Sequence, residues 1–259
     1  MSRHLDPDQN GGSSRTLAVL EALAEADGPL TLSAISERVG APLSSCHAVV
    51  HRLQSRGYLY ARDRRRGFCA TRKLLDVARE IAAHDPIITR VAPAITELSI
   101  RTGETVIVGR LQGMEAIYLS VVEGTHTIRY VSEPGARKPL HASAIGKAIL
   151  SGMPAHEIAA ILSATGQPRI TDRTLVTVAD ILADLQEGRR RGFFETGGEN
   201  VADVGAVSML AAVAGDAIAI AIAGPLDRVA ENRHSYVAAL REVVARLQAM
   251  DAGDWQAAT

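Results

Sequence analysis

The apolar positions near the start of the chain recur at helical spacing in three short segments. They predict helices over residues 14–25, 32–39 and 42–55. Thr31 can cap the second helix, and Gly40 can end it where a left-handed backbone is needed. Two short helices separated by such a turn are typical of a helix-turn-helix.

A basic hairpin follows these helices. Short apolar runs predict strands over 58–60 and 68–70, and polar residues between them predict a turn. From Arg38 to Lys73 there are nine Lys/Arg and one acidic residue, a local excess of +8, although the whole chain has a net charge of −1. Positive charge confined to one segment favours a polyanionic partner. The order of elements predicts a winged helix-turn-helix over 14–73 that binds double-stranded DNA.

The second helix of the motif has a buried and an open face. Cys46, Val49, Val50 and Leu53 share the apolar face, and the other face has short or polar side chains. The residues that we predict to contact DNA are Thr31, Ser44, Ser45, His47, His51, Arg52, Arg64, Arg65 and Arg66. Side chains of the helix can reach base edges, while the three wing arginines follow the phosphates. Either feature alone also suits an ordinary three-helix subdomain or a solvated surface; together, in this order, they favour DNA binding.

The rest of the chain alternates between helical and strand patterns. A helix over 74–86 links the two halves, since Pro86 marks a domain boundary. Helices are predicted over 87–101, 141–152, 154–164, 174–191 and 231–249, and strands over 104–111, 116–123, 127–132, 206–214 and 217–223. Antiparallel strands with helices at the ends predict an α+β sensor domain over 87–252, followed by a tail over 253–259.

Composition narrows the class of protein. Apolar residues make up 47% of the 259, but no apolar run is long enough to span a membrane. Residues 1–13 are polar and rich in Gly and Ser, so we expect a disordered arm there and no signal peptide. Cys46 and Cys69 fall at apolar positions, which favours reduced packing thiols. We expect a cytoplasmic protein.

Two small motifs resemble catalytic ones and fail on inspection. Residues 144–148 contain the Gly-Lys pair of a phosphate loop. However, His141 stands where the first glycine of that motif belongs, and Ala148 replaces its Ser/Thr. Ser143 lacks a Gly-x-Ser-x-Gly elbow, and a helix-capping serine is the commoner role. We therefore expect no cofactor, no metal site and no enzymatic activity.

Five segments, in order, resemble the isocitrate-lyase-regulator (IclR) family of bacterial transcription regulators. They are SRTLAVLEALAEADGPLTLSAISERVGAP, RGYLYARD, GARKPLHASAIGKAIL, RRRGFFETGGEN and IAGPLDR. The resemblance extends over about 14–250, and Pro-Leu-His-Ala-Ser at 139–143 is its most diagnostic block. It implies a winged helix-turn-helix, a linker helix and a GAF-like effector-binding domain. It also implies a homodimer or dimer of dimers on a palindromic operator, acting as repressor or activator in response to a small-molecule effector.

The resemblance also implies where the effector binds. The effector-binding residues that correspond to the family's pocket are Ala144, Ile145, Thr196, Ala206, Ala221 and Ala223. The backbone amides of Ala144 and Ile145 would hold a carboxylate, as a helix N-terminus can.

This chain departs from the family pattern at three of these effector positions and at one position of the recognition helix. Thr196 replaces a carboxylate, and Ala221 and Ala223 replace two serines of relatives that bind short acids. Fewer hydroxyls favour an aromatic or otherwise apolar carboxylic acid over a two- or three-carbon one. In the recognition helix, Ala48 stands where an arginine is usual, which predicts an altered base preference.

Two other functions remain open from the sequence. The C-terminal domain could be an enzyme acting on a small acid, with the winged helix used only for association. Alternatively, the wing could bind another protein, and a weak dependence of that binding on salt would distinguish this case from DNA binding.

Overall fold

The computed structural model of the protein describes residues 12–63 and 67–257. Arg64, Arg65 and Arg66, and most of the predicted N-terminal arm, lie outside the described residues. The chain divides into two compact units, with the division between Ala82 and Ala83. Each unit is described by itself.

The first unit contains four helices and a hairpin. The helices are α1 (Gly12–Ala24), α2 (Leu32–Val39), α3 (Leu43–Ser55) and α4 (Lys73–Ala83), and the strands are β1 (Leu59–Asp63) and β2 (Gly67–Ala70). The helix starts and ends agree with the predicted caps: Thr31 Oγ1 accepts a hydrogen bond from the Ala34 amide (3.2 Å), and Gly40 has φ 65°. α1 begins two residues earlier than predicted, within the segment assigned to the arm.

A small apolar core holds this unit together. It contains Val19, Ala22, Leu30, Ile35, Cys46, Val50, Leu53 and Leu59. Cys46 is fully buried and Cys69 half-buried, both as free thiols. Leu30 pairs with Phe68 through two backbone hydrogen bonds (3.2 and 2.8 Å), which fixes the hairpin against the turn between α1 and α2.

The second unit is a six-stranded antiparallel sheet with helices on both faces. Its helices are α5 (Pro86–Thr102), α6 (Ala144–Ser151), α7 (Ala155–Thr165), α8 (Val178–Arg191) and α9 (Leu226–Ala257). Its strands are β3 (Thr105–Gln112), β4 (Glu115–Val122), β5 (Arg137–Pro139), β6 (Phe194–Gly197), β7 (Val204–Val213) and β8 (Asp216–Pro225). The strand order is β5-β4-β3-β8-β7-β6. This mixed helix and sheet architecture agrees with the predicted α+β class.

Strand β8 shows how the sequence sets the two faces. Its isoleucines 218, 220 and 222 are packed in the large core with α5 and α9. Its alanines 219, 221 and 223 are in the core on the opposite face, with residues of α6, α7 and α8. Because successive strand residues point to opposite faces, one face of β8 carries large branched side chains and the other carries only the methyl groups of alanine.

The structure differs from the prediction at several elements. The segment 127–132 is not a strand: the Tyr130 carbonyl accepts from buried Thr105 (2.5 Å) and the Ile128 carbonyl from Arg228 (2.7 Å), so side chains satisfy the groups that a ladder would use. β5 and β6 are absent from the prediction because they are only three and four residues long, too short for an alternation of apolar and polar residues to be recognised. α9 continues through Ala257, beyond its predicted end and into the predicted tail.

Candidate functional site

The open face of α3 carries four of the nine residues predicted to contact DNA. Ser44, His47, His51 and Arg52 are exposed, while Cys46, Val50 and Leu53 are buried beneath them. The exposed positions recur at intervals of three and four residues, so their side chains form one continuous surface. The His47 and His51 rings stack at 6.2 Å between centroids.

The remaining predicted DNA contacts are less uniform. Thr31 is exposed, but its hydroxyl already caps α2 and is hydrogen-bonded to Ser33 (3.0 Å). Ser45 is half-buried, one position round the helix from the open face. Arg64, Arg65 and Arg66 lie outside the described residues; Arg62 of β1, which was not among the predicted contacts, is exposed.

His47 and His51 also have the i, i+4 spacing of a helical metal-ligand pair, a feature that the sequence argument overlooked. A protein metal site needs at least three ligands in most cases. Within the described ranges, no group of three or more His, Cys, Asp or Glu side chains could hold a metal ion. Likewise, no helix among the described residues is long and apolar enough to cross a membrane.

The six residues predicted to bind the effector all line one cavity of the second unit. Its wall contains Ile107, Tyr118, Tyr130, Ser143, Ala144, Ile145, Thr196, Asn200, Val201, Val204, Ala206, Ala221 and Ala223. The cavity is narrow: its volume of about 30 Å³ has room for about two water molecules. A larger ligand must therefore displace part of the wall.

Three strands build the floor of the cavity through their register. Thr196 of β6 pairs with Ala206 of β7, and Ala206 pairs with Ala223 of β8. Ala221 lies two residues along β8, opposite Ile107 of β3. Because these alanines stop at Cβ, the space above them is left to the cavity.

The N-terminus of α6 supplies the polar side of the cavity. Ser143 caps the helix: its hydroxyl accepts from the Gly146 amide (3.1 Å) and donates to the Pro139 carbonyl (2.7 Å). The Lys147 amide donates to the Ser143 carbonyl (2.9 Å). Within the described part of the chain, the amides of Ala144 and Ile145 have no such acceptor. Two free N–H groups at the positive end of a helix form a site for an anion.

The serine and histidine considered for catalysis have structural partners. Since Ser143 Oγ donates to a carbonyl, no base withdraws its proton. His141 is buried, and its Nε2 lies 3.3 Å from the Pro168 carbonyl. Burial lowers the pKa of His141, and the charge of Lys147 lowers it further, against the hydrogen bond to Pro168, which raises it. The arrangement is not a nucleophile–base pair.

The Gly-Lys pair that resembled a phosphate loop also has a packing role. A Cβ on Gly146 would lie 2.4 Å from the Leu140 backbone, so only glycine fits there. Lys147 is 1% exposed, and its Nζ lies 2.8 Å from both the Asp184 and the Glu199 carboxylates. Its charge is therefore neutralised within the protein, not offered to a phosphate.

The buried Lys147 cluster is a feature that sequence reasoning missed. Burial raises the pKa of Glu199, and Lys147 opposes that rise. Glu199 immediately precedes Asn200 and Val201, which line the cavity. Lys147 thus ties α6 to the segment that forms one wall. No signal in the sequence pairs residues 147, 184 and 199.

Seven cavity residues were not predicted as part of the site. Ile107 and Tyr118 lie in predicted strands, on the face that the alternation assigns to the alanines, so their position could have been found. Tyr130 falls in the mistaken strand, and 200–204 has no periodicity to read.

Two family models match the chain. Residues 80–249 match "Bacterial transcriptional regulator IclR C-terminal", and residues 14–63 match "IclR helix-turn-helix domain". Among curated proteins, the HTH-type transcriptional repressor AllR of Escherichia coli K12 is 29% identical over 85% of this chain and 82% of its own. AllR of Salmonella typhimurium is 30% identical over 85% of this chain and 81% of its own.

Solved structures share the fold at lower identity. The Thermotoga maritima IclR has a TM-score of 0.78 at 22% identity and covers 92% of this chain and 97% of its own. An IclR homologue from Microbacterium hydrocarbonoxydans, crystallised with 4-hydroxybenzoate, has a TM-score of 0.71 at 21% identity, covering 92% of this chain and 98% of its own.

Proposed function

Because the chain belongs to the IclR family of bacterial transcription regulators, we propose that a carboxylic acid bound in the second unit changes its affinity for an operator. DNA binding and a small-molecule effector follow from the family itself. One observation carries the proposal: the six corresponding residues, distant in sequence, meet at one cavity beside two free helix amides. As a regulator of bacterial genes, the protein acts in the cytoplasm.

The effector is an apolar acid, of aromatic or branched form. Its carboxylate accepts hydrogen bonds from the amides of Ala144 and Ile145, and its body lies on Ala206, Ala221 and Ala223. A short polar acid would leave its remaining polar atoms against methyl groups, which costs about 1–3 kcal/mol for each unsatisfied group. The 4-hydroxybenzoate complex of the Microbacterium relative supports an aromatic acid in such a fold.

A thermal-shift series of carboxylic acids tests the effector class. A ligand that binds only the native state stabilises it by about 2.7 kcal/mol at a hundred times its dissociation constant. We expect benzoate-like and branched acids to raise the unfolding temperature at lower concentrations than glyoxylate does. A larger effect from glyoxylate would contradict the apolar assignment.

The operator is read by the exposed face of α3. Arg52 is exposed there with no acidic partner among the described residues, so its guanidinium is available to bases or phosphates. We expect Arg52→Ala to weaken operator binding by about 10- to 100-fold, which corresponds to 1–3 kcal/mol. Fluorescence anisotropy with a duplex selected from a random library measures the change.

Arg101→Ala is the matched control for Arg52→Ala. Arg101 pairs with Glu242 (2.7 Å) in the second unit and is not part of the helix-turn-helix. It should leave operator affinity and its steep salt dependence unchanged. Equal operator affinity for Arg52→Ala and the unaltered protein would remove α3 from the interface.

The regulator binds a palindromic operator as a homodimer or dimer of dimers, and α4 supplies one dimer contact. This helix has no buried residue, and even its large apolar side chains are exposed: Leu75 is 47% exposed and Ile81 69%. Apolar residues 74, 75, 77, 78 and 81 form one face of α4, and a second copy offers the same face in return.

A charge on that face tests the dimer. We expect Leu75→Asp with Ile81→Asp to shift the protein toward smaller species in sedimentation at micromolar concentration, since buried carboxylates would oppose association. Arg79→Asp, on the polar side of the same helix, should leave the sedimentation coefficient unchanged. Unaltered association of the double variant would exclude this face.

The alternative of an enzyme in the second unit lacks a supporting observation. The one serine and histidine considered for catalysis are engaged by Pro139, Gly146 and Pro168. A protein-binding wing is separable by the salt dependence of duplex binding.

A further inference from the structure

Two tyrosines form a part of the cavity wall that no family position assigns. Tyr118 of β4 and Tyr130 of the segment after it both line the cavity, although only five of the 259 residues are tyrosine. Tyr118 is 5% exposed. Large phenols beside a floor of alanines bring the polar atoms that the alanines lack.

The β-sheet register puts Tyr118 next to the proposed anion site. Tyr118 pairs with Gly109 of β3, and Ile145 packs on that glycine: a Cβ there would lie 2.9 Å from Ile145 Cγ2. Ile145 thus offers its amide to the carboxylate while its side chain extends toward Tyr118. The amide and both tyrosines line the same cavity, so an acid anchored at the amide would have the phenols within the same site.

The backbone of Tyr130 is held on both sides. Buried Thr105 donates to the Tyr130 carbonyl, and accepts from the Gly124 amide (3.1 Å). Arg228 donates to the Ile128 carbonyl (2.7 Å), and its guanidinium also pairs with buried Glu104. These bonds fix the segment, so the Tyr130 ring is presented in a defined position before any ligand arrives.

The two phenols are neighbours. Burial raises the pKa of Tyr118, and the adjacent Tyr130 hydroxyl raises it further through its charge and hydrogen bonding. The Tyr118 hydroxyl therefore keeps its proton at neutral pH, and a phenol hydroxyl can both donate and accept hydrogen bonds. Such groups complement a neutral hydroxyl or carbonyl, while the helix dipole favours the carboxylate at α6.

We propose that Tyr118 and Tyr130 are specificity-determining residues, and that the effector carries a hydroxyl or carbonyl at the end opposite its carboxylate. The proposal rests on the effector site described above, and it narrows the ligand to hydroxylated or oxo-substituted apolar acids. The phenols select such an acid because an unsubstituted one leaves a hydrocarbon edge against the hydrogen-bonding capacity that the two hydroxyls do not use on each other.

The test compares a matched pair of acids, 4-hydroxybenzoate and benzoate, by calorimetric titration of the full chain. We expect the protein to bind 4-hydroxybenzoate about tenfold more tightly, the value of one hydrogen bond of about 1.4 kcal/mol. In Tyr118→Phe and Tyr130→Phe, which keep the rings, the ratio of the two dissociation constants should fall toward one.

Tyr236→Phe is the matched control. Tyr236 is buried in the same unit, but its hydroxyl donates to Glu104 (3.3 Å) and does not line the cavity. It should keep the tenfold ratio. The proposal is overturned if the unaltered protein binds both acids equally, or if the ratio survives both cavity substitutions; acid binding itself, and with it the proposed function, would stand. Binding of neither acid would overturn both.

Discussion

A Lys147→Met variant is expected to lose about 3–5 kcal/mol of folding free energy at pH 7, the cost of leaving a buried ion pair without one partner. Lys147 is 1% exposed, between Asp184 and Glu199. Methionine keeps most of the side-chain volume and removes the charge. Two carboxylates would then face each other with no cation, and chemical denaturation followed by circular dichroism measures the loss.

The loss should depend on pH in a definite direction. Burial already raises the pKa of Glu199 above its ordinary 4.5, and Lys147 is the chief influence that lowers it. Without Lys147, the folded protein holds the Glu199 proton more tightly than the unfolded chain does. The proton therefore supports the variant fully below pH 4.5, and this support is lost as the pH rises through the folded-state pKa.

A second substitution controls for packing. Lys147→Met with Glu199→Gln removes one stranded charge and should recover part of the stability at pH 7. If the double variant were no more stable than Lys147→Met, or if the loss were equal at pH 5 and pH 7, the cluster would not act through charge.

An Ala221→Leu variant is expected to weaken effector binding by about 5- to 150-fold, because the isobutyl side chain of leucine occupies the cavity. Ala221 is 2% exposed on the floor, and the free space holds about two waters. A ligand that enters the variant's cavity would overpack the site, which costs about 1–3 kcal/mol and lowers the binding free energy by that amount. Calorimetric titration with the acid that gives the largest thermal shift measures the effect.

Ala217→Leu provides the comparison on the same strand and face. Ala217 is exposed, four residues from Ala221, and does not line the cavity. It should bind the acid as the unaltered protein does. Similar losses in both variants would indicate a general disturbance of β8, and full binding by Ala221→Leu would exclude this cavity.

We propose that effector binding changes operator affinity by shifting the populations of two arrangements of the second unit. A ligand larger than two waters must move part of the wall, and the wall segment at 200–204 is tied through Glu199 to Lys147 on α6. Binding therefore favours an arrangement of the second unit that the ligand-free protein adopts less often. In the proposed homodimer, we expect the linker helix α4 to transmit that preference to the two recognition helices.

Periodicity predicted the elements that have a long, one-sided pattern. α2, α3 and α4 begin and end close to their expected residues because Thr31, Gly40 and the apolar spacing act locally. The segment 127–132 has the composition of a strand, but its carbonyls accept hydrogen bonds from Thr105 and Arg228, which are distant in sequence. No local pattern reports such a partner.

The candidate site was predictable where it depends on the backbone. Free amides at 144 and 145 follow from a helix that starts after a capping serine, and the alanines of β8 follow from strand alternation. The Lys147 cluster was not predictable, because three charges on α6, α8 and the loop after β6 meet only through the fold. The position of Tyr130 in the cavity wall was not predictable for the same reason, because its segment is held by residues distant in sequence.

Anisotropy titration of a library-selected operator, with and without a saturating aromatic hydroxy acid, tests whether the effector controls DNA binding. We expect the acid to change the operator affinity of the unaltered protein by about 5- to 150-fold, a coupling of 1–3 kcal/mol. We expect a smaller change for Ala221→Leu at the same concentration. Operator affinity that is unaffected by any bound acid, or an equal response from Ala221→Leu, would overturn the proposed function.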